Sequence, residues 1–167
     1  MLKCTFSIIM LIINVMLQRP SLPFRGMYSP GMEDTKKTLS VFAILAEVKV
    51  PKVWKHLVQQ GIHHSMFVTS WIMTVFVSSF HFEFAARVWD ALWVEGWKVV
   101  YKVCLGLLKY AEDELLTCNM EEIMMYFRKM PERMDPDLVW KYVWDVKVSQ
   151  QEILRCEQWY HEEGGTQ

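Results

Sequence analysis

Short amphipathic runs separated by proline- and glycine-marked breaks fill the chain, and no stretch shows the apolar/polar alternation of a strand. From Phe82, apolar residues fall at 82, 85, 86, 89, 92 and 93, the spacing of one helical face. Glu83, Arg87, Asp90 and Val94 take the opposite stripe. Glu83–Arg87 and Arg87–Asp90 stand four and three residues apart, where helical side chains meet. Gly96 is a stop signal. The pattern thus predicts a short helix that turns Phe82, Trp89 and Trp93 to a core and keeps one line of charge.

The flanking chain reads the same way. Pro20, Pro23 and Pro30, with Gly26 and Gly31, predict a loop over Arg19–Gly31. A helix is expected over Met32–Val48 with Leu39, Phe42, Ala43 and Ala46 inward. Pro51 fits the first position of the next, which runs to Gln60 with Trp54, Leu57 and Val58 inward and ends at Gly61. Ser65 is a candidate N-cap for Met66–Ser79. No Asp, Glu, Lys or Arg occurs from Ile62 to Phe82, so this helix is expected to be the central one. Trp97–Leu116 is the longest amphipathic run. Its inner stripe is Val100, Val103, Cys104, Leu107, Leu108, Ala111 and Leu115, and its outer positions are Lys98, Lys102, Lys109 and Asp113. Asn119 with Glu122 suggests a capping box for Asn119–Met130, with Met120, Ile123, Met124 and Phe127 inward and Pro131 closing it. Asp135-Pro136 opens a helix to about Val146, with Leu138, Val139, Tyr142, Val143 and Val146 inward. Ser149 with Glu152 opens a last one to about His161. The fold class is all-α, a multi-helix bundle.

Composition sharpens this only in places. A chain of 167 residues with 52% apolar residues suits one domain with an ample core. A net charge of −1 gives no electrostatic case for nucleic acid. Cys4, Cys104, Cys118 and Cys156 have no ligand spacing, and Cys104 reads as a buried thiol. His56, His63 and His64 lack matching carboxylates or thiols, so no metal site is expected. Cofactors are expected to be none. After Lys3, Cys4–Leu17 is almost continuously apolar. It reads as a buried helix, a signal-peptide core or a membrane anchor. About 20 apolar residues are needed to span a bilayer, and Gln18-Arg19-Pro20 stands where a small-x-small cleavage site would. These facts favour the buried helix.

Trp71 in a bulky WxxTxF segment, then Arg87-Val-Trp-Asp90, then Glu95-Gly96 resembles the C-terminal half of a TBC domain, the helical GTPase-activating module that acts on Rab-type small GTPases. Arg25–Met32 and Lys52–Leu57 extend the likeness upstream, and the helix near Trp97 extends it downstream. The resemblance implies a right-angled bundle of helices and divides the chain into an apolar N-terminal helix (1–13), a partial TBC domain (14–130) and a helical extension and tail (131–167). It implies a Rab-family partner and a cytoplasmic protein, peripheral to endomembranes where it meets membrane at all. It also implies a framework role for Trp71, Arg87, Trp89, Asp90, Glu95 and Gly96, and packing or hydrogen bonding for His56. Asp90 is expected to be held by backbone N–H groups or by Arg87.

In that family an arginine in I-x-x-D-x-x-R and a glutamine in Y-x-Q act on the GTPase in trans. An arginine finger contributes on the order of 10³–10⁵ in rate. Neither motif occurs in this chain. Gly26-Met-Tyr-Ser-Pro-Gly-Met32 is a decoy for the family's G-Y-x-Q-G-M stretch. Met27 intrudes between Gly and Tyr, and Pro30 at the glutamine position cannot orient a water. A later family segment, with a Tyr shortly before the helix equivalent to Met32–Val48, matches Arg25–Met32 better. Arg25 lacks a finger context. No catalytic residue is therefore expected, and the fingers would belong to an N-terminal half outside this sequence. The alternatives are a non-catalytic helical binding module, a truncated gene fragment, or a membrane protein anchored by 4–17.

Overall fold

The computed structural model describes residues 23–164; the apolar run Cys4–Leu17 lies outside them. Among the described residues every regular element is helical. In chain order these are α1 (Phe24–Met27), α2 (Glu33–Lys49), α3 (Pro51–Gln59), α4 (Ser65–Met73), α5 (Phe82–Glu95), α6 (Lys98–Tyr110), α7 (Glu112–Leu115), α8 (Met120–Arg133), α9 (Pro136–Asp145) and α10 (Gln150–Trp159). A π-helical turn, Tyr160–Gly164, follows.

The bundle is built around α6, not around the Met66–Ser79 segment. Every residue from Val99 to Leu108 is buried, including Lys102. The expected Trp97–Leu116 run breaks at Ala111, and α7 continues it. Lys102, expected outside, lies inside because two partners accept its charge. Glu95 stands 3.7 Å from its ammonium, and the Trp144 ring centroid 4.2 Å. Helices α5, α9 and α2 pack on α6, and α10 packs on α2. The α6–α9 approach is close because residue 106 is glycine. A Cβ there would stand 2.9 Å from both the Val143 Cα and N.

Helix α4 ends at Met73, well short of Ser79. Val75 and Phe76 take left-handed backbone, with φ of 45° and 67°. The Phe76 N–H then reaches back to the Trp71 carbonyl at 2.8 Å, which satisfies an end carbonyl as a helix C-cap does. Ser65 does not cap α4 with its hydroxyl. It is the helix's first residue, and its Oγ lies 2.7 Å from His63 Nδ1. A short helix, α1, also forms inside the expected Arg19–Gly31 loop, begun by Pro23, whose carbonyl accepts from Met27 N–H at 3.0 Å.

The other end signals are realised. Asn119 and Glu122 form a reciprocal box at 3.1 and 2.8 Å, and Ser149 and Glu152 form another at 3.2 and 2.8 Å. Asp135 Oδ1 accepts from Asp137 N–H at 2.9 Å and Leu138 N–H at 3.2 Å. Pro131 does not close α8. It forfeits only the bond to the Phe127 carbonyl, and the helix runs on to Arg133.

Several inward faces are rotated from expectation. Phe82 is 82% exposed, whereas Phe84, Ala85, Val88 and Leu92 form the buried stripe of α5. Val58, Met120 and Leu138 are exposed, while Val53, Met130 and Trp140 are buried. In α2 Val41 and Leu45 join Phe42 and Ala46 inside.

Candidate functional site

The residues singled out by the sequence pattern converge on α5, its two ends and the turn before it. His81 enters with extended backbone, Glu83 sits in the positive first turn, and Gly96 leaves with φ 76°. A β-carbon is strained at that φ, so glycine is the residue that lets the chain turn directly into α6.

Trp71 is 3% exposed and sits among aromatic rings. Phe67, Phe80 and Phe127 lie edge-on to it at centroid distances of 5.4, 5.7 and 5.7 Å. Trp89 is only half-buried. Its indole Nε1–H donates to the Val75 carbonyl at 3.2 Å. Phe24 of α1 lies between two indoles, parallel to Trp89 at 6.5 Å and edge-on to Trp97 at 5.4 Å. Trp93 packs partly buried against the core. The aromatic residues therefore clamp α1, the α4 turn and the α5–α6 corner together.

The charged residues divide by partner. Arg87 does not turn to Glu83 or Asp90. Its Nη1 donates to Asp137 Oδ1 at 2.5 Å, which ties the surface of α5 to the first turn of α9. The bond holds the Asp137 carboxyl below the ordinary carboxylate range. Glu95 binds Lys98 at 3.1 Å and Lys102 at 3.7 Å. Asp90 is exposed, and the expected bond from Arg87 goes elsewhere. Asp90 lines a groove of about 430 Å³ between α5 and α9, together with Val94, Trp140 and Trp144. Val94 is 86% exposed there. The sequence pattern alone missed the α9 wall of this groove. Asp135-Pro-Asp137 marks a helix start, but spacing says nothing about which helix Asp137 will face.

Arg25 and Pro30 are exposed around α1. The Tyr28 hydroxyl donates to the Met73 carbonyl, so this turn is fastened to the end of α4. The His56 ring donates from Nε2 to the Cys118 carbonyl at 2.9 Å. His64 packs against Phe42 and Trp54, and burial, with His63 beside it, lowers its pKa to about 4. Burial pushes the Cys104 thiol up, which disfavours the reactive thiolate. Among the described residues no cluster of His, Cys, Asp or Glu is built to hold a metal, and no helix is long and apolar enough to cross a membrane.

What these residues build is a helical framework: an aromatic clamp with charged ties at its surface. The Rab-GTPase-TBC domain model matches residues 5–116, and the chain belongs to that family. The chain is 28% identical over 139 residues to the human ecotropic viral integration site 5 protein homolog, covering 81% of this chain and 17% of that protein. It is 29% identical over 139 residues to the Rab GTPase-activating protein eat-17 of Caenorhabditis elegans, covering 81% of this chain and 16% of that protein. Against the GTPase-activating protein GYP5 of Saccharomyces cerevisiae it is 30% identical over 104 residues, covering 62% of this chain and 12% of that protein. The chain thus spans a small part of the length of the relatives it matches.

Proposed function

We propose that this chain docks a Rab-type GTPase without accelerating its GTP hydrolysis, acting as a TBC-type scaffold at the cytoplasmic periphery of trafficking membranes. One observation carries the reading. The family's arginine and glutamine motifs are both absent from the 167 residues. Without them the chain offers neither the guanidinium that offsets charge on the transferred phosphoryl group nor the amide that orients the attacking water.

The motif residues of α4 and α5 and the glycine after α5 support a framework role. Trp71 and Trp89 hold the aromatic clamp, Arg87 and Glu95 are committed to Asp137 and to Lys98 and Lys102, and Gly96 makes the corner. Asp90, Val94 and Trp144 form the surface left for docking.

The test is single-turnover hydrolysis by a panel of GTP-loaded Rab proteins with and without this chain, beside capture of the same Rabs on the immobilised chain. The expected result is capture of at least one Rab with an unchanged hydrolysis rate. Stimulated hydrolysis overturns the non-catalytic reading, and capture of none overturns docking.

A further inference from the structure

A second groove, of about 440 Å³, runs between α4, the turn that follows it and α8. Its volume falls within the roughly 300–1,000 Å³ typical of ligand clefts. Phe67 and Phe127 line it, stacked at 4.2 Å, beside Trp71. Its rim is methionine, with Met66 52% and Met125 46% exposed. Unbranched thioethers adapt to irregular partners, which is why methionine recurs at binding surfaces.

The charge of this groove is one-sided. Arg128 is the charged residue among those lining it, and it makes no ion pair with any described residue. The contrast with Arg87, tied to Asp137, is direct. The opposite wall offers no carboxylate, because Ile62–Phe82 contains no acidic or basic residue. That wall offers hydroxyls instead. The Ser70 hydroxyl donates to the Phe67 carbonyl, whereas the Ser79 hydroxyl has only a 3.5 Å contact with Ser78. A guanidinium and a hydroxyl thus border an aromatic floor, with no carboxylate among the described residues that line the groove.

We propose that this groove docks a segment of a partner protein that presents an apolar side chain beside a carboxylate. The apolar group covers the Phe67, Trp71 and Phe127 surface, and the carboxylate meets Arg128. One unpaired cation matches one carboxylate, and an open trough with a methionine rim suits a peptide segment.

The experiment uses the full chain and three short fluorescein-labelled peptides of Leu and Phe, interspersed with Glu, with Gln or with Lys. Fluorescence anisotropy gives affinity, and methyl spectra of ¹³C-methionine-labelled protein give location. The Glu peptide is expected to bind about three- to tenfold more tightly than the Gln peptide, the range between an exposed ion pair and a charge-assisted hydrogen bond. It should shift the Met66, Met124 and Met125 methyls and leave Met32 unmoved. Arg128→Gln should abolish the discrimination, and Arg128→Glu should reverse it in favour of the Lys peptide. Arg128 is exposed, so neither substitution removes core. The proposal is overturned if Glu and Gln peptides bind wild type equally, if no peptide binds, or if Arg128→Gln preserves the preference. It is equally overturned if the shifted methyls lie elsewhere, or if phosphatidylserine vesicles move them while the peptides do not.

Discussion

The Trp89 indole donates its N–H to the Val75 carbonyl at 3.2 Å, so the family-like tryptophan of α5 fastens the turn that ends α4. Val75 is 1% exposed, so its carbonyl sits where water is scarce. Removing the donor leaves the acceptor unsatisfied, at a cost of about 1 kcal/mol for a neutral pair. Trp89→Phe keeps a ring against Phe24 and removes the N–H. We expect it to lower unfolding free energy by about that amount in urea titration, with an unchanged slope. A substitution with no effect would show that the bond does not hold the turn.

The turn itself makes an unusual prediction. Val75 is β-branched and has φ 45°, a region that costs an L-residue roughly 1–2 kcal/mol. Both Val75→Ala and Val75→Gly give up burial of the valine side chain, but only glycine releases the backbone. Val75→Gly is therefore expected to be the more stable of the two variants by about 1 kcal/mol. Thermal melts of the pair decide it. The reverse order, normal for a helix interior, would mean that residue 75 is not left-handed in solution.

These two residues show what could be read from the sequence. The burial of Trp71 and the stop at Gly96 were legible, because a bulky aromatic in an uncharged stretch packs inside and a glycine past the last periodic residue ends a helix. The capping pairs Asn119–Glu122 and Ser149–Glu152 were legible for the same reason: the partners lie three residues apart. The inward face of α5 was not. The expected face, Phe82, Ala85, Ala86, Trp89, Leu92 and Trp93, shares Ala85 and Leu92 with the buried stripe Phe84, Ala85, Val88 and Leu92, and only the packing of α6 selects between them. Nor could periodicity end α4 at Met73, since Val75 and Phe76 carry no turn signature. Asp137 and Trp144, partners of Arg87 and Lys102, are distant in sequence and meet them only through the fold.

Gly106 separates propensity from packing. In an exposed helix interior Gly→Ala stabilises by about 1 kcal/mol. Here the new Cβ would meet the Val143 Cγ2 at 2.7 Å and its backbone Cα and N at 2.9 Å. Backbone cannot swing aside as a side-chain tip can, so α6 and α9 must move apart. Overpacking of this kind costs typically 1–3 kcal/mol. Gly106→Ala is accordingly expected to destabilise despite its better propensity, by about 1–2 kcal/mol in denaturant titration. Val143→Ala removes only the Cγ2 contact, so Gly106→Ala should still destabilise in the Val143→Ala background, because the contacts to Cα and N remain.

Lys49 and Glu152, 2.6 Å apart, join α2 to α10 and set a pH dependence. The Lys49 ammonium, then the Ser149 N–H, lowers the Glu152 pKa to about 2 from an ordinary 4.5. A carboxylate depressed in the folded state contributes stability above its unfolded pKa and loses it as pH falls toward the folded value. The contribution should therefore be complete at pH 7 and decline between about 4.5 and about 2. Its size is set by partial solvent exposure of both side chains, which screens the pair. Glu152→Gln keeps a cap partner for Ser149 and removes the charge. His64, lowered to about 4 by burial and by His63, also removes stability as pH falls below about 6.5, but it does so in both proteins. The difference in unfolding free energy between wild type and Glu152→Gln isolates the carboxylate. It should be constant from pH 7 to pH 5 and shrink toward pH 3. A difference that stays flat to pH 3 would place the Lys49–Glu152 contact outside the solution structure.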